Sequence, residues 1–256
     1  MSQSGTLSVV VPVYNEEATL PTVVNKLLSV PYLLEIIVVD DCSTDRTSEI
    51  ARELASVHDQ VKLIRHERNQ GKTAALVTGF AVTRGDIVVV QDADLEYDPS
   101  EIIDLITPIL NGLADVVYGS RFLVKKAARV LYYYHYLANK TLTAISNLLT
   151  NINFSDVQTG YKAFRGEIIR NMIIESRGFG FESEVTAKIA KLKCACYEVP
   201  ISYYGRTYEQ GKKIGVMDGV AALWYLIRFN LFCNLKRSFR QLPALRAALD
   251  KVQVAE

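Results

Sequence analysis

Two aspartates, two residues apart at the end of an apolar run, are the groups in this 256-residue chain best suited to binding charge. They lie in "VVVQDADLEYDP". In an extended backbone Asp92 and Asp94 point to the same side, and two carboxylates held together repel one another unless a cation compensates. Such hard oxygen ligands suit Mg²⁺ or Mn²⁺, which can also bridge to a diphosphate. The same segment reads as a solvated turn before a helix, because Asp98-Pro99 is a turn signal.

Other segments narrow the chemistry. "NQGKTAAL" invites a phosphate-loop reading, but that loop needs a glycine where His66 stands. A G-x-G-x-x-G fingerprint is also missing, so ATPase and dinucleotide dehydrogenase classes are disfavoured. Gly71 then reads as a turn before a helix. In "VPVYNEE", Tyr14 offers a flat face for a base and Glu16 a carboxylate for base or ribose, while Asn15 reads as a helix cap. Arg206 and Lys212 lie six residues apart in a glycine-flanked loop. Without further context they read as a solvated basic loop. The three histidines, His58, His66 and His135, form no metal pattern and are expected at the surface or in packing roles.

These residues need a scaffold. β-Branched runs at 7–13, 35–40, 61–66, 86–92 and 115–120 alternate with helical spacing at 16–28, 45–55, 72–82 and 100–110. The alternation predicts an α/β fold with a mainly parallel sheet between helices. In such sheets ligands sit beyond the carboxyl ends of the strands, where "PVYNEE", "DDCSTD", "HERNQGK" and "QDADLEYD" fall. The second half holds a Tyr-rich amphipathic stretch over 129–149, then "SDVQTGYKAFR", two shorter helical patterns and the strand-like "CACYEVPISYYG". No linker separates it from the first half.

Composition bounds the rest. Residues 1–200 carry 20 basic and 24 acidic side chains, and residues 201–256 carry 9 and 4. A nucleic-acid-coating protein would show the opposite sign over most of its length. The four scattered cysteines are expected to be buried thiols in a reducing compartment. No basic flank precedes the short apolar start, so a cytoplasmic protein is expected. The apolar stretch 219–235 is interrupted by Arg228 and is too short to span a bilayer.

Seven segments, "LSVVVPVYNEE", "IIVVDDCSTD", "NQGKTAAL", "QDADLEYDP", "YGSRF", "QTGYKAFR" and "YYGRTYEQGKK", follow the order and spacing of family-2 glycosyltransferases. Over roughly residues 7–220 the chain most resembles the polyprenyl-phosphate hexosyltransferases, such as dolichol-phosphate mannose synthases. The resemblance implies a GT-A fold over 1–215 with a C-terminal helical tail over 216–256. It also implies a nucleotide-sugar donor, GDP-mannose or UDP-glucose, and a divalent metal. Pro12, Tyr14, Glu16, Val39, Asp41, Gly71, Lys72, Asp92 and Ala93 would meet the donor, and Asp94 and Glu96 the metal. Glu96 stands where those enzymes often have Gln. Arg206 and Lys212 would close over the diphosphate, in a loop expected to order with donor and metal. Arg121 and Arg129 would meet the acceptor phosphate, for which Arg is suited by its bidentate geometry.

The implied reaction inverts the sugar by a single displacement. A lipid monophosphate is largely dianionic near neutral pH and needs no strong base, so Asp156 is assigned to orienting the acceptor. With a soluble hydroxyl acceptor Asp156 would instead be the base. A non-catalytic nucleotide-sugar-binding protein is the third reading, disfavoured because binding alone needs neither the metal site nor the basic loop. The tail mixes basic and aromatic residues, and its helix is apolar on both sides. It is expected to be covered by the catalytic domain, a second copy or lipid, with peripheral contact at anionic headgroups preferred.

Overall fold

Seven apolar runs build one sheet in the computed structural model, which describes residues 5–123, 132–178, 180–205 and 216–245. The strands are β1 (Leu7–Val13), β2 (Leu33–Asp40), β3 (Val61–Arg65), β4 (Ile87–Val90), β5 (Val116–Ser120), β6 (Lys162–Arg165) and β7 (Cys196–Pro200). Their order across the sheet is β3-β2-β1-β4-β6-β5-β7. All neighbours run parallel except β6, which is antiparallel to both β4 and β5.

Every residue of β1 is buried because helices cover both faces. Val9 and Val11 face helices α1 (Leu20–Leu27) and α4 (Ile102–Leu110). The alternate residues Val10 of β1, Ile37 and Val39 face α3 (Lys72–Val82) and α7 (Phe181–Leu192). Each such Val, Ile or Leu contributes roughly 1.5–3 kcal/mol by leaving water, and none is available to touch a polar ligand with its side chain. The remaining helices are α2 (Thr47–Val57), α5 (Tyr133–Thr150), α6 (Gly166–Asn171), α8 (Val216–Leu231) and α9 (Leu235–Ser238).

Three expectations need correction. The first helix starts at Leu20, four residues later than its pattern suggests, and Asn15 does not cap it. Asn15 sits at φ 54°, and its Oδ1 accepts from the Thr44 N–H at 2.8 Å, tying the loop after β1 to the loop after β2. The strand in "YKAFR" was not foreseen, because four residues after a Gly-Tyr pair carry too short a period to register. The cysteines are half-buried and free; Cys194 and Cys196, with sulfurs 4.0 Å apart, lie at the start of β7, the edge of the sheet.

Among the described residues no helix is long and apolar enough to cross a membrane. Helix α8 packs against α7 and α5. Ala222, Leu226 and Phe229 are buried, whereas Val220, Leu223, Trp224 and Leu231 on the other side are exposed. Half of the apolar helix is thus covered by its own chain.

Candidate functional site

β1 is flanked by β2 on one side and β4 on the other, so the chain's connections diverge at their carboxyl ends and leave a crevice there. Tyr14 and Glu16 leave β1 at this edge, both half-buried. The Glu16 N–H donates to Thr47 Oγ1 at 2.9 Å, and its carboxylate accepts from Thr19 Oγ1 at 2.9 Å. Pro12 and Val39 are paired partners inside the sheet and fully enclosed. They shape the floor beneath the crevice.

Asp41, one residue past β2, is buried and draws the next loop toward it. Its carboxylate accepts from the backbone N–H of Gln70 (2.9 Å) and Gly71 (2.7 Å) and meets His66 Nδ1 at 2.7 Å. His66 reaches Thr78 on α3 through its other ring nitrogen, at 2.9 Å. Gly71 takes φ +87°, a conformation that favours glycine, and so sets Lys72 at the start of α3. Lys72 Nζ then lies 2.7 Å from Asp92 Oδ1 and 4.0 Å from Glu182 Oε1. Burial alone would lower the Lys72 pKa, but the Asp92 and Glu182 charges outweigh it and hold the ammonium protonated well above its ordinary range.

The carboxylate pair lies just past β4, which ends at Val90. Leu95 at φ 60° bends the chain, and the Glu96 N–H donates to Asp94 Oδ1 at 3.1 Å. Asp92, Asp94 and Glu96 therefore share one turn rather than one strand face. Burial, with the charges of Asp92 and Glu96, pushes the Asp94 carboxyl up to about 7. Desolvation weighs most in this shift, and the Lys72 charge and the Glu96 N–H offset only part of it. No group of three His, Cys, Asp or Glu at metal-binding spacing occurs among the described residues. Mg²⁺, however, typically takes one or two carboxylates and completes its shell with water and phosphate oxygens, and Asp94 with Glu96 fits that demand.

Residues that the sequence did not single out support this turn. Tyr97 is buried against Tyr161 at 5.1 Å between ring centroids, and its hydroxyl accepts from the Gly160 N–H at 3.1 Å. Burial pushes the Tyr97 phenol up to about 12. Gly160 leaves room for the ion pair: a Cβ there would lie 2.7 Å from Asp92 Oδ2 and 3.4 Å from Lys72 Nζ. We expect Gly160→Ala to push the Asp92 carboxylate off Lys72 and lower the melting temperature with an unchanged far-ultraviolet circular dichroism spectrum. A melting temperature equal to wild type would show that the space at Gly160 does not hold the pair in place.

On the other side of the crevice, Arg121 follows β5. Its Nε and Nη2 donate to the two oxygens of Asp156 at 2.7 and 2.8 Å, and its backbone N–H adds a third bond at 3.1 Å. Burial would lower the guanidinium pKa, but Asp156 raises it well above its ordinary value. Asp156 is fully buried, and its turn is held by Glu198 on β7, which accepts from the N–H groups of Ser155 (2.9 Å) and Asp156 (3.2 Å). Nearby Lys162 on β6 is also fully buried. It donates to the carbonyls of Val157 and Thr159 and lies 4.4 Å from the Tyr118 ring centroid. Burial pushes this ammonium down to about 8, opposed by Glu182 and Asp156.

The described structure thus brings Tyr14, Glu16, Asp41, Gly71, Lys72, Asp92, Ala93, Asp94, Glu96, Arg121 and Asp156 to the carboxyl side of one sheet. Arg129, Arg206 and Lys212 lie outside the described residues.

Residues 8–173 match the family Glycosyl transferase family 2. A dolichol-phosphate mannosyltransferase of Pyrococcus furiosus is 34% identical over 82% of this chain, which spans 59% of that relative's length. A polyprenol monophosphomannose synthase of Mycolicibacterium smegmatis is 30% identical, covering 81% of this chain and 80% of its own. A UDP-N-acetylglucosamine--dolichyl-phosphate N-acetylglucosaminyltransferase of Methanococcus voltae is 31% identical over 87% and 95%. Among solved structures, glucosyl-3-phosphoglycerate synthase from Mycobacterium tuberculosis in complex with UDP superposes with a TM-score of 0.69 at 23% identity, covering 88% of this chain and 80% of that one.

Proposed function

The chain belongs to glycosyl transferase family 2 and has the GT-A fold, and on that premise we propose that it moves a hexose from a nucleoside-diphosphate sugar to a polyprenyl phosphate. The observation that carries the acceptor class is the Arg121–Asp156 pair. Asp156 is buried with both oxygens accepting from Arg121, which suits an orienting residue and not a base. A guanidinium has five N–H donors, so the pair retains capacity for a phosphate that supplies its own nucleophilic oxygen. A soluble hydroxyl acceptor would need a base, a role to which a carboxylate with both oxygens already accepting from Arg121 is poorly suited. The named activities of the polyprenyl- and dolichyl-phosphate relatives support the same class.

In this reading, Tyr14, Glu16 and the Asp41 loop receive the nucleoside, with Asp92 and Ala93 at the ribose and first phosphate. Gly71 and Lys72 orient Asp92. Asp94 and Glu96 would hold Mg²⁺ or Mn²⁺, which neutralises charge developing on the diphosphate when bound. Arg206 and Lys212 would add positive charge. Arg121, with Arg129, orients the acceptor oxygen for attack on the anomeric carbon from the face opposite the diphosphate, so configuration inverts. Positioning and charge neutralisation carry the rate.

The deciding experiment incubates the full chain with GDP-mannose, UDP-glucose and UDP-N-acetylglucosamine, each with polyprenyl phosphate and Mg²⁺ or Mn²⁺, and separates the lipid products. Transfer only to water or to soluble alcohols would overturn the acceptor assignment.

A lipid acceptor requires the crevice to approach a bilayer. Tyr132, Tyr133 and Tyr134 at the start of α5 are exposed, as are Trp224 on α8 and Phe232 just after it; interfacial aromatics of this kind favour headgroup depth. Arg228, Lys236, Arg237 and Arg240 supply basic charge nearby. The full chain is expected to float with anionic liposomes at low salt, and a Trp224→Ser/Phe232→Ser variant, altered only at exposed side chains, to float less. Equal recovery in the soluble fraction would assign the tail to packing or to a second copy.

A further inference from the structure

We propose that Tyr203 is a positioning residue that sets the Glu96 carboxylate and the Arg121 guanidinium from a single aromatic ring, fixing the metal side and the acceptor side of the crevice together. The inference rests on the roles given above to Glu96 and Arg121. Tyr203 lies three residues past the end of β7. Its hydroxyl donates to Glu96 Oε2 at 2.8 Å. The Arg121 guanidinium carbon stands 5.2 Å from the centroid of the same ring, within cation–π range. The ring is backed by Tyr97 at 5.4 Å, which itself stacks on Tyr161. One side chain therefore touches groups from two strand ends separated by β6.

The backbone around Tyr203 is pinned to match. The Tyr204 N–H donates to the Glu96 carbonyl at 2.9 Å, and Ser202 donates to Glu101 through its N–H (2.8 Å) and hydroxyl (2.7 Å). Residues 202–204 are thus bonded to the acidic turn and the helix start behind it. Gly205 completes the arrangement, because a Cβ there would lie 2.7 Å from Tyr203 Cε1. The chain passes close over the ring just before Arg206. A phenylalanine would fill the same space and keep the contact with Arg121. What the hydroxyl adds is the bond to Glu96, and partners of this kind govern how a ligand meets its metal.

Tyr203→Phe, Tyr203→Leu, Glu96→Gln and the Tyr203→Phe/Glu96→Gln double variant separate the two roles. Mn²⁺ affinity is read by electron paramagnetic resonance with GDP or UDP present, and the acceptor KM by lipid-product assay. Tyr203→Phe should weaken Mn²⁺ binding about tenfold while the acceptor KM stays at the wild-type value. Tyr203→Leu should show the same metal loss together with a severalfold higher acceptor KM. The double variant should bind Mn²⁺ no more weakly than the weaker single variant. Wild-type Mn²⁺ affinity in Tyr203→Phe, or an acceptor KM that rises equally in the Phe and Leu variants, overturns the proposal. A wild-type protein that binds Mn²⁺ with neither nucleotide defeats the functional reading instead. Hydrogen exchange of the ligand-free protein then decides for Tyr203: faster exchange at the Tyr204 amide in Tyr203→Phe upholds the tie to Glu96, and unchanged exchange overturns it.

Discussion

Asp94→Asn is expected to abolish metal-stimulated transfer, by at least about a hundredfold, while raising the melting temperature of the metal-free protein at pH 8. The two effects share one cause. Burial and the neighbouring Asp92 and Glu96 charges push the Asp94 carboxyl from its ordinary 3.8 up to about 7. Between those values the folded chain binds this proton more tightly than the unfolded chain does, so stability falls as pH rises toward 7 and the full cost is present above it. Asparagine removes the charge and with it that cost. The proton and the metal compete for the same oxygens, so metal affinity of the wild-type protein should fall as pH drops below about 7. Thermal melts at pH 5 and pH 8 and Mn²⁺ titrations at pH 6 and pH 8 check both statements. A variant that kept metal-stimulated turnover would remove Asp94 from the metal site.

Asp156→Ala should produce the largest loss of stability among the site variants, roughly 3–5 kcal/mol. It leaves the Arg121 guanidinium buried beside Tyr203 and Phe122 without its carboxylate. Asp156→Asn keeps one carbonyl oxygen for Arg121 and should lose less stability, while raising the acceptor KM more than it lowers kcat. Urea melts give the first comparison and steady-state kinetics the second. If Asp156 acted as a base, Asp156→Asn would instead depress kcat by orders of magnitude at an unchanged acceptor KM.

Much of this site was legible before any coordinates, and the reason is local. Asp92, Asp94, Lys72 and Arg121 each sit within a few residues of a β-branched strand or a helix start, so the strand pattern alone brings them to one edge of the sheet. The site's supports left no such mark. Tyr203 meets Glu96 across 107 positions in the chain, and Gly160 meets Asp92 only after β6 has turned back between β4 and β5. A tyrosine next to another tyrosine, or a glycine before one, has no period that reveals a distant partner. The late start of α1 has the same origin. Residues 15 and 16 have helix-cap composition, but their hydrogen bonds go to Thr44 in the loop after β2 and to Thr47 at the start of α2, and tertiary bonding overrides local preference.

The reversed strand also dictates an order of assembly during synthesis. β4 can pair with β1 as soon as residues 87–90 emerge, but its other edge waits for β6, where Ile87 opposes Arg165. β5 has no partner in the sheet until β6 and then β7 arrive. A nascent chain that has emerged only to residue 160 therefore presents an unpaired apolar edge on β4 and a β5 strand with nowhere to dock, and such edges are templates for misassociation. The half of the crevice built on β1, β2 and β4 can form on the ribosome, whereas the half built on β5 and the turn at Asp156 is completed only after β6 closes the gap. Ribosome-bound chains emerged only to residue 160 should accordingly show hydrogen-exchange protection of β1 and β2 but not of β5.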